Sequence, residues 1–152
     1  MLERIIIADA SCLIALTNID ELEVLQKVYE EITITPEVKE EYGDSLPDWI
    51  VIEEVLEKEK IALLELQLDK GESSAIALAL EKENSLLLID ERKGRAIAKR
   101  MGVAITGILG VIIKAKEIGV VEKVKPFIEK LESVEFRISE RLKSQILKKV
   151  KE

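Results

Sequence analysis

The sequence contains no histidine and a single cysteine, Cys12. Without imidazole, zinc sites built on histidine and every Ser/His or Cys/His catalytic arrangement are excluded. One thiol cannot form an internal disulfide. Aromatic residues make up only 3% of the chain. No apolar run approaches the roughly 18 residues that a membrane span requires, and the N-terminal residues show no basic region leading into an apolar stretch. Neither a membrane anchor nor a secretion leader is expected. The expectation is a soluble, cytoplasmic protein whose chemistry runs on carboxylates, hydroxyls, lysine or arginine.

What is present is 152 residues, 47% of them hydrophobic, which suffices for a single domain over residues 1–152 with its own core. That fraction is too high for a disordered acidic tail. Acids outnumber bases 30 to 23, for a net charge of -7. The imbalance is not uniform: residues 1–91 carry 23 acidic and 7 basic side chains, whereas residues 92–152 carry 7 and 16. A basic second half leaves room for a polyanionic partner despite the net negative charge.

Short apolar runs alternate with helical patterns. Ile5 to Ala8 reads as a buried parallel strand ending at Asp9, and a helix is expected over Asp20 to Glu30 with Asp20 as its N-cap. A second strand near Ile32 to Ile34 precedes a short helix, Pro36 to Tyr42, closed by Gly43. A loop through Pro47 and Trp49 leads to a weaker strand, Ile50 to Ile52, and residues 54–68 read as helical. Asp69-Lys70-Gly71-Glu72 resembles a helix start. The strand Leu86 to Ile89 ends at Asp90, the basic helix Arg92 to Met101 stops at Gly102, and a strand near Val103 to Ile105 meets the turn Thr106-Gly107. Helices are expected over Ile108 to Ile118, 122–132 and 139–151. Strands alternating with helices argue for a parallel sheet covered on both faces.

In such a sheet the ligand site lies at the carboxyl ends of the strands. That rule selects Asp9, Asp90 and Thr106, with Glu72 and either Glu40 or Glu41 able to reach the same rim. Carboxylates gathered in one partly buried place repel by about 4 kcal/mol per close pair at an effective dielectric near 20, unless a cation or protons compensate. Oxygen-only ligation suits Mg²⁺ or Mn²⁺, and the chemistry implied is metal-assisted attack of water on a phosphodiester. Each residue also has a plainer use. Asp9 beside Ser11 suits a helix N-cap, Glu72 suits a helix dipole, and Glu41 suits a solvated helix face. Trp49 reads as a core anchor, Cys12 as a small buried apolar residue, and Lys148, Lys149 and Lys151 as a frayed tail.

Five strings occur in order: Ile-Ala-Asp9-Ala-Ser11-Cys-Leu-Ile, Thr35-Pro36-Glu-Val38-Lys-Glu-Glu41, Gly71-Glu72-Ser-Ser-Ala-Ile-Ala-Leu-Ala, Leu-Leu-Ile-Asp90-Glu-Arg-Lys-Gly-Arg95 and Thr106-Gly107-Ile-Leu-Gly110. Together they resemble a PIN domain over about residues 1–147, most of all the prokaryotic branch related to VapC-type toxin ribonucleases. The resemblance implies a three-layer α/β fold with a five-stranded parallel sheet of order 3-2-1-4-5. It implies an acidic quartet of Asp9, Glu41, Glu72 and Asp90, with Glu41 preferred over Glu40 because it lies three residues after Val38. Asp9 and Asp90 would ligate Mg²⁺ or Mn²⁺, joined by Glu72 directly or through water, while Glu41 orients the nucleophile. Ser11 and Thr106 would supply hydroxyls to the acidic network.

The function implied is a metal-dependent endoribonuclease, the toxin of a toxin–antitoxin pair, with RNA as substrate, a small antitoxin as partner and a homodimer as assembly. Arg92, Arg95 and Lys99 share a helical face that starts near the proposed metal and would hold RNA phosphates without base specificity. The alternative is a non-catalytic interaction module whose acidic pocket binds a protein partner. A haloacid dehalogenase-type phosphatase ranks below both, because Asp9-Ala10-Ser11 lacks the second Asp such enzymes use.

Overall fold

A computed structural model describes residues 4–152. The isoleucine run forms β1 (Ile5–Ala8), flanked in the sheet by β2 (Ile32–Ile34) and β4 (Ser85–Leu88), with β3 (Ile50–Ile52) and β5 (Ile105–Thr106) outermost. The order is β3-β2-β1-β4-β5 and every pairing is parallel. Parallel pairing needs crossovers, and helices supply them. The central strands β1 and β4 run in register from Ile5↔Ser85 to Ala8↔Leu88. Their near-continuous apolar sequence follows from burial on both faces.

Helices α1 (Ala10–Asn18), α3 (Pro36–Tyr42), α4 (Lys58–Leu64) and α5 (Lys70–Glu81) pack on one another, and α2 (Val24–Tyr29) packs on α7 (Ile108–Glu117). With α6 (Arg92–Arg100) they flank the sheet in the expected three-layer α/β arrangement. Helix α5 is the most enclosed: each residue from Gly71 to Ala79 is buried. Small side chains make this possible, since Gly, Ser and Ala let the helix lie close to β1 and β4. Thr35 caps α3 by accepting from the Val38 amide, Pro36 occupies its first turn, and Gly43 closes it at φ +72°. Trp49 is half-buried against the core, as an anchor should be. Among the described residues, no helix is long and apolar enough to cross a membrane.

The structure corrects several element boundaries. A helix occupies Ala10–Asn18, which only the N-cap reading of Asp9 anticipated, with Ala10, Leu13 and Leu16 buried at helical spacing. Asp20 therefore follows a helix at φ +59° and caps nothing, while α2 begins only at Val24. Of residues 54–68 only Lys58–Leu64 are helical, and the flanking Leu56 and Leu66, which face no core, stay exposed. Strand β5 starts two residues later than expected and ends one later, since its partners Leu87 and Leu88 select Ile105 and Thr106.

The C-terminal residues are not a frayed tail either. Lys148 and Lys149 lie within α9 (Glu140–Lys149). The Glu152 carboxylate accepts from the Lys116 ammonium at 2.7 Å and from the Val124 and Lys125 amides at the start of α8 (Lys125–Ser133). Helix α8 has no side-chain cap of its own, and its free N–H groups are met from the far end of the chain. Burial alone would raise the Glu152 carboxyl, but the bonds from Lys116, Val124 and Lys125 lower it to about 2.

Candidate active site

The ends of β1 and β4 bring the first two acids together. Asp9, only 2% exposed, has one carboxylate oxygen accepting from the Ser11 hydroxyl at 3.0 Å. Its other oxygen, Oδ1, is buried with no hydrogen-bond partner. Asp9 stands at the N-cap position of α1, yet its side chain caps no amide. The plainer use of an Asp at this position is therefore not made. Asp90 accepts from the Ile108 amide, the first N–H of α7, at 3.2 Å, and from the Cys12 thiol at 3.1 Å. Cys12 is buried, but it is more than an apolar filler, because its S–H donates to the acid that follows the neighbouring strand.

Helices α3 and α5 add the remaining acids. Glu72 lies in the first turn of α5, 6% exposed, with Oε2 buried and unpartnered. Its amide donates to Asp69, the N-cap, at 2.8 Å. Glu41 extends from α3 to Gly71: a Cβ built there would lie 2.5 Å from Glu41 Oε2. Burial is the largest influence on all three carboxyls. It pushes Asp9 up to about 6 despite the Ser11 bond, with repulsion from Asp69 and Asp90 adding to the rise. It pushes Glu72 up to about 8, helped by Asp69 and Asp9. Glu41 is raised by burial and by the same two neighbours.

Four glycines make room for these side chains. A Cβ at Gly94 would come within 2.8 Å of Glu72 Oε2, and one at Gly107 would collide with Asp90 Oδ1. One at Gly110 would collide with the Thr106 hydroxyl. With Gly71 beside Glu41, each glycine abuts a different member of the predicted site. Gly107 has φ -117° and ψ -175°, which any residue adopts, so the requirement there is space and not backbone freedom.

Among the described residues, no three acidic or thiol side chains converge as a ready-made metal cage. Mg²⁺ does not need one, since it keeps several waters and binds through one or two carboxylates. Two buried orphaned carboxylate oxygens, raised carboxyls and an all-oxygen acid set fit such a cation.

A family model described as a PIN domain matches residues 5–152. The chain belongs to the PIN domain family. No curated protein and no solved structure matches it. PIN domains are generally nucleases that act on nucleic acid and use divalent metals.

Within this PIN domain the cations predicted for RNA separate. Arg92 and Lys99 are exposed on α6. Arg95 instead folds back, donating to the Ile89 carbonyl at 2.8 Å, and lines a cavity shared with Ser11, Asp90 and Thr106. Thr106 reaches that cavity, but no hydrogen bond joins its hydroxyl to a carboxylate among the described residues. Sequence reasoning missed Asp69 and Glu91, which cap α5 and α6 and stand close enough to Glu72 for their charges to raise its carboxyl. Each sits at a helix start on the carboxyl-end rim, a signal that could have found both.

Glu40 and Glu41 are adjacent, and the geometry gives them different surroundings. Both are exposed as whole residues, but the Glu41 carboxylate lies against Gly71, in the field of Asp69 and Asp9. Glu41→Gln should lower nuclease activity by about 10- to 100-fold, the range for groups that orient metal-site chemistry. Glu40→Gln should leave it within twofold. Initial rates on one labelled RNA check both.

Proposed function

We propose that this PIN domain is a Mg²⁺- or Mn²⁺-dependent endoribonuclease. The observation that carries the reading is the pair of buried, unpartnered carboxylate oxygens, Asp9 Oδ1 and Glu72 Oε2, within one group of acids. Asp9, Asp90 and Glu72 would hold the cation, which when bound supplies an acidified water and neutralises charge at the scissile phosphate. Ser11 fixes the Asp9 carboxylate, and the Ile108 amide and Cys12 thiol fix that of Asp90, so both present their free lone pairs in set directions. Glu41 and Glu72 offer acceptor oxygens that orient the attacking water, and Thr106 borders the space where substrate lies. The cut leaves 5′-phosphate and 3′-hydroxyl ends.

The toxin reading and the homodimer extend this proposal. The resemblance to VapC-type toxins supports them.

The test is Mn²⁺-dependent cleavage of mixed labelled single-stranded and structured RNAs by wild type and Asp9→Asn. Cleavage abolished by EDTA and lowered at least ~100-fold in the variant is expected, since even outer partners of metal ligands matter 10- to 100-fold. No cleavage, together with no calorimetric Mn²⁺ binding, would favour the interaction module instead.

A further inference from the structure

A cavity of about 760 Å³ continues from the acids toward the C-terminal part of the chain. It shares Ser11, Asp90 and Glu91 with the site, and its apolar wall includes Leu109, Ile113, Phe136, Leu142 and Ile146. Phe136 is its one aromatic residue, in a chain with only 3% aromatics. Two arginines line it, Arg95 and Arg137. Arg95 is already tied to the Ile89 carbonyl. Arg137 is exposed, and no ion pair or hydrogen bond engages its side chain among the described residues.

An apolar wall carrying one ring, beside a free guanidinium and open to carboxylates suited to phosphodiester hydrolysis, matches the parts of a nucleotide. The base needs a flat apolar contact and the phosphate needs a cation. The volume lies within the ordinary range for small-ligand sites, about 300–1,000 Å³. Cations at this place also answer an electrostatic need, because the acids repel an RNA strand that must approach Asp90.

We propose that this cavity is a nucleotide subsite, in which the base next to the scissile phosphate stacks on Phe136 while Arg137 holds its phosphate. The inference rests on the reading that the acid rim receives RNA, and it adds where the strand is gripped. Stacking accepts any base, so the subsite sets the position of the strand and not a sequence. Helix α9 supplies Leu142 and Ile146 to the wall, so a segment remote from the acids takes part in substrate binding.

The test uses full-length protein and a fluorescent single-stranded oligoribonucleotide, either intact or with one abasic position scanned along it. Anisotropy is read with Ca²⁺ replacing Mn²⁺, to relieve repulsion from the carboxylates, and RNA integrity is checked on gels. An abasic site at one position should weaken binding to wild type by roughly 10-fold, the range for loss of one stacked base. Phe136→Ala should weaken the intact RNA by about the same factor and show no further loss with the abasic one. Because Phe136 also packs on the core, Arg137→Ala serves as a second variant. It should lower the slope of log affinity against log salt by about 0.7, one phosphate contact fewer.

Binding that ignores the missing base, or losses from Phe136→Ala and the abasic site that multiply, would overturn the subsite and leave the nuclease reading standing. Base-dependent binding without cleavage in Mn²⁺ would keep the subsite and remove only the hydrolytic step. Wild type that binds none of the RNAs overturns both.

Discussion

Asp9→Asn should be more stable than wild type in EDTA at pH 8, even as it loses cleavage. Asp9 titrates at about 6 in the folded chain, against an ordinary 3.8. A folded-state carboxyl raised in this way costs no stability below the ordinary value, and its effect grows to the full amount as pH rises through the folded value. At 1.36 kcal/mol per pH unit the Asp9 shift corresponds to about 3 kcal/mol. Glu72, raised from 4.5 to about 8, acts in the same direction and carries the loss to higher pH.

The metal-free protein should therefore lose stability between about pH 4 and pH 8. Asparagine keeps an acceptor for Ser11 and removes the charge, so Asp9→Asn should melt roughly 5 °C or more above wild type at pH 8 and near it at pH 4. Mn²⁺ should raise the melting temperature of wild type and do so more at pH 8 than at pH 5, because the ligands must be deprotonated. The variant should respond little to Mn²⁺. Differential scanning calorimetry at three pH values, with and without Mn²⁺, reads all of this. A variant less stable than wild type at pH 8 in EDTA would mean that Asp9 is an ordinary structural acid.

Gly107→Ala should be nearly as damaging to activity as loss of an acid. The new methyl group would meet Asp90 Oδ1 and lie 3.0 Å from the Arg95 guanidinium. Neither neighbour can yield freely, because Asp90 is held by Ile108 and Cys12, and Arg95 by the Ile89 carbonyl. Displacing Asp90 by about 1 Å should cut cleavage by about 100-fold. Overpacking should reduce stability by about 1–3 kcal/mol. Gly110→Ala is the matched comparison: its new methyl meets only the Thr106 side chain. It should be milder, and the difference in initial rates measures how much more Asp90 contributes than Thr106. Cleavage within a few-fold of wild type in Gly107→Ala would place the chemistry away from Asp90.

Much of this architecture could be read from local signals. Apolar runs ending in Asp identified β1 and β4, whereas the preference for Glu41 over Glu40 came from the resemblance to PIN domains and not from any local signal. The helix start at Asp69 was visible in the sequence and that at Glu91 was not read, and what brings both near Glu72 is the packing of α5 against β4, which no local pattern encodes. The glycines in Gly71-Glu72 and Thr106-Gly107-Ile-Leu-Gly110 were visible as motif letters. Their purpose, clearance for one particular carboxylate or hydroxyl each, depends on contacts between elements. Phe136 and Arg137 carried no signal, because the cavity they line forms only when the C-terminal helices close against β5 and α7. Glu152 was likewise illegible: its partners Lys116 and Val124 are distant in sequence.

The pairing of β1 with β4 bears on when during synthesis the acids can meet. Cys12 and Asp90 are joined by a bond spanning 78 positions, and Asp9 and Asp90 follow strands from opposite halves of the chain. Such non-local contacts form late, after the entropy of closing the intervening loop has been overcome. A ribosome-bound chain that has not yet emerged past Asp90 holds Asp9, Glu41 and Glu72 but no second strand-end acid to set against them. The topology thus delays the gathering of these acids until most of the polypeptide has been made.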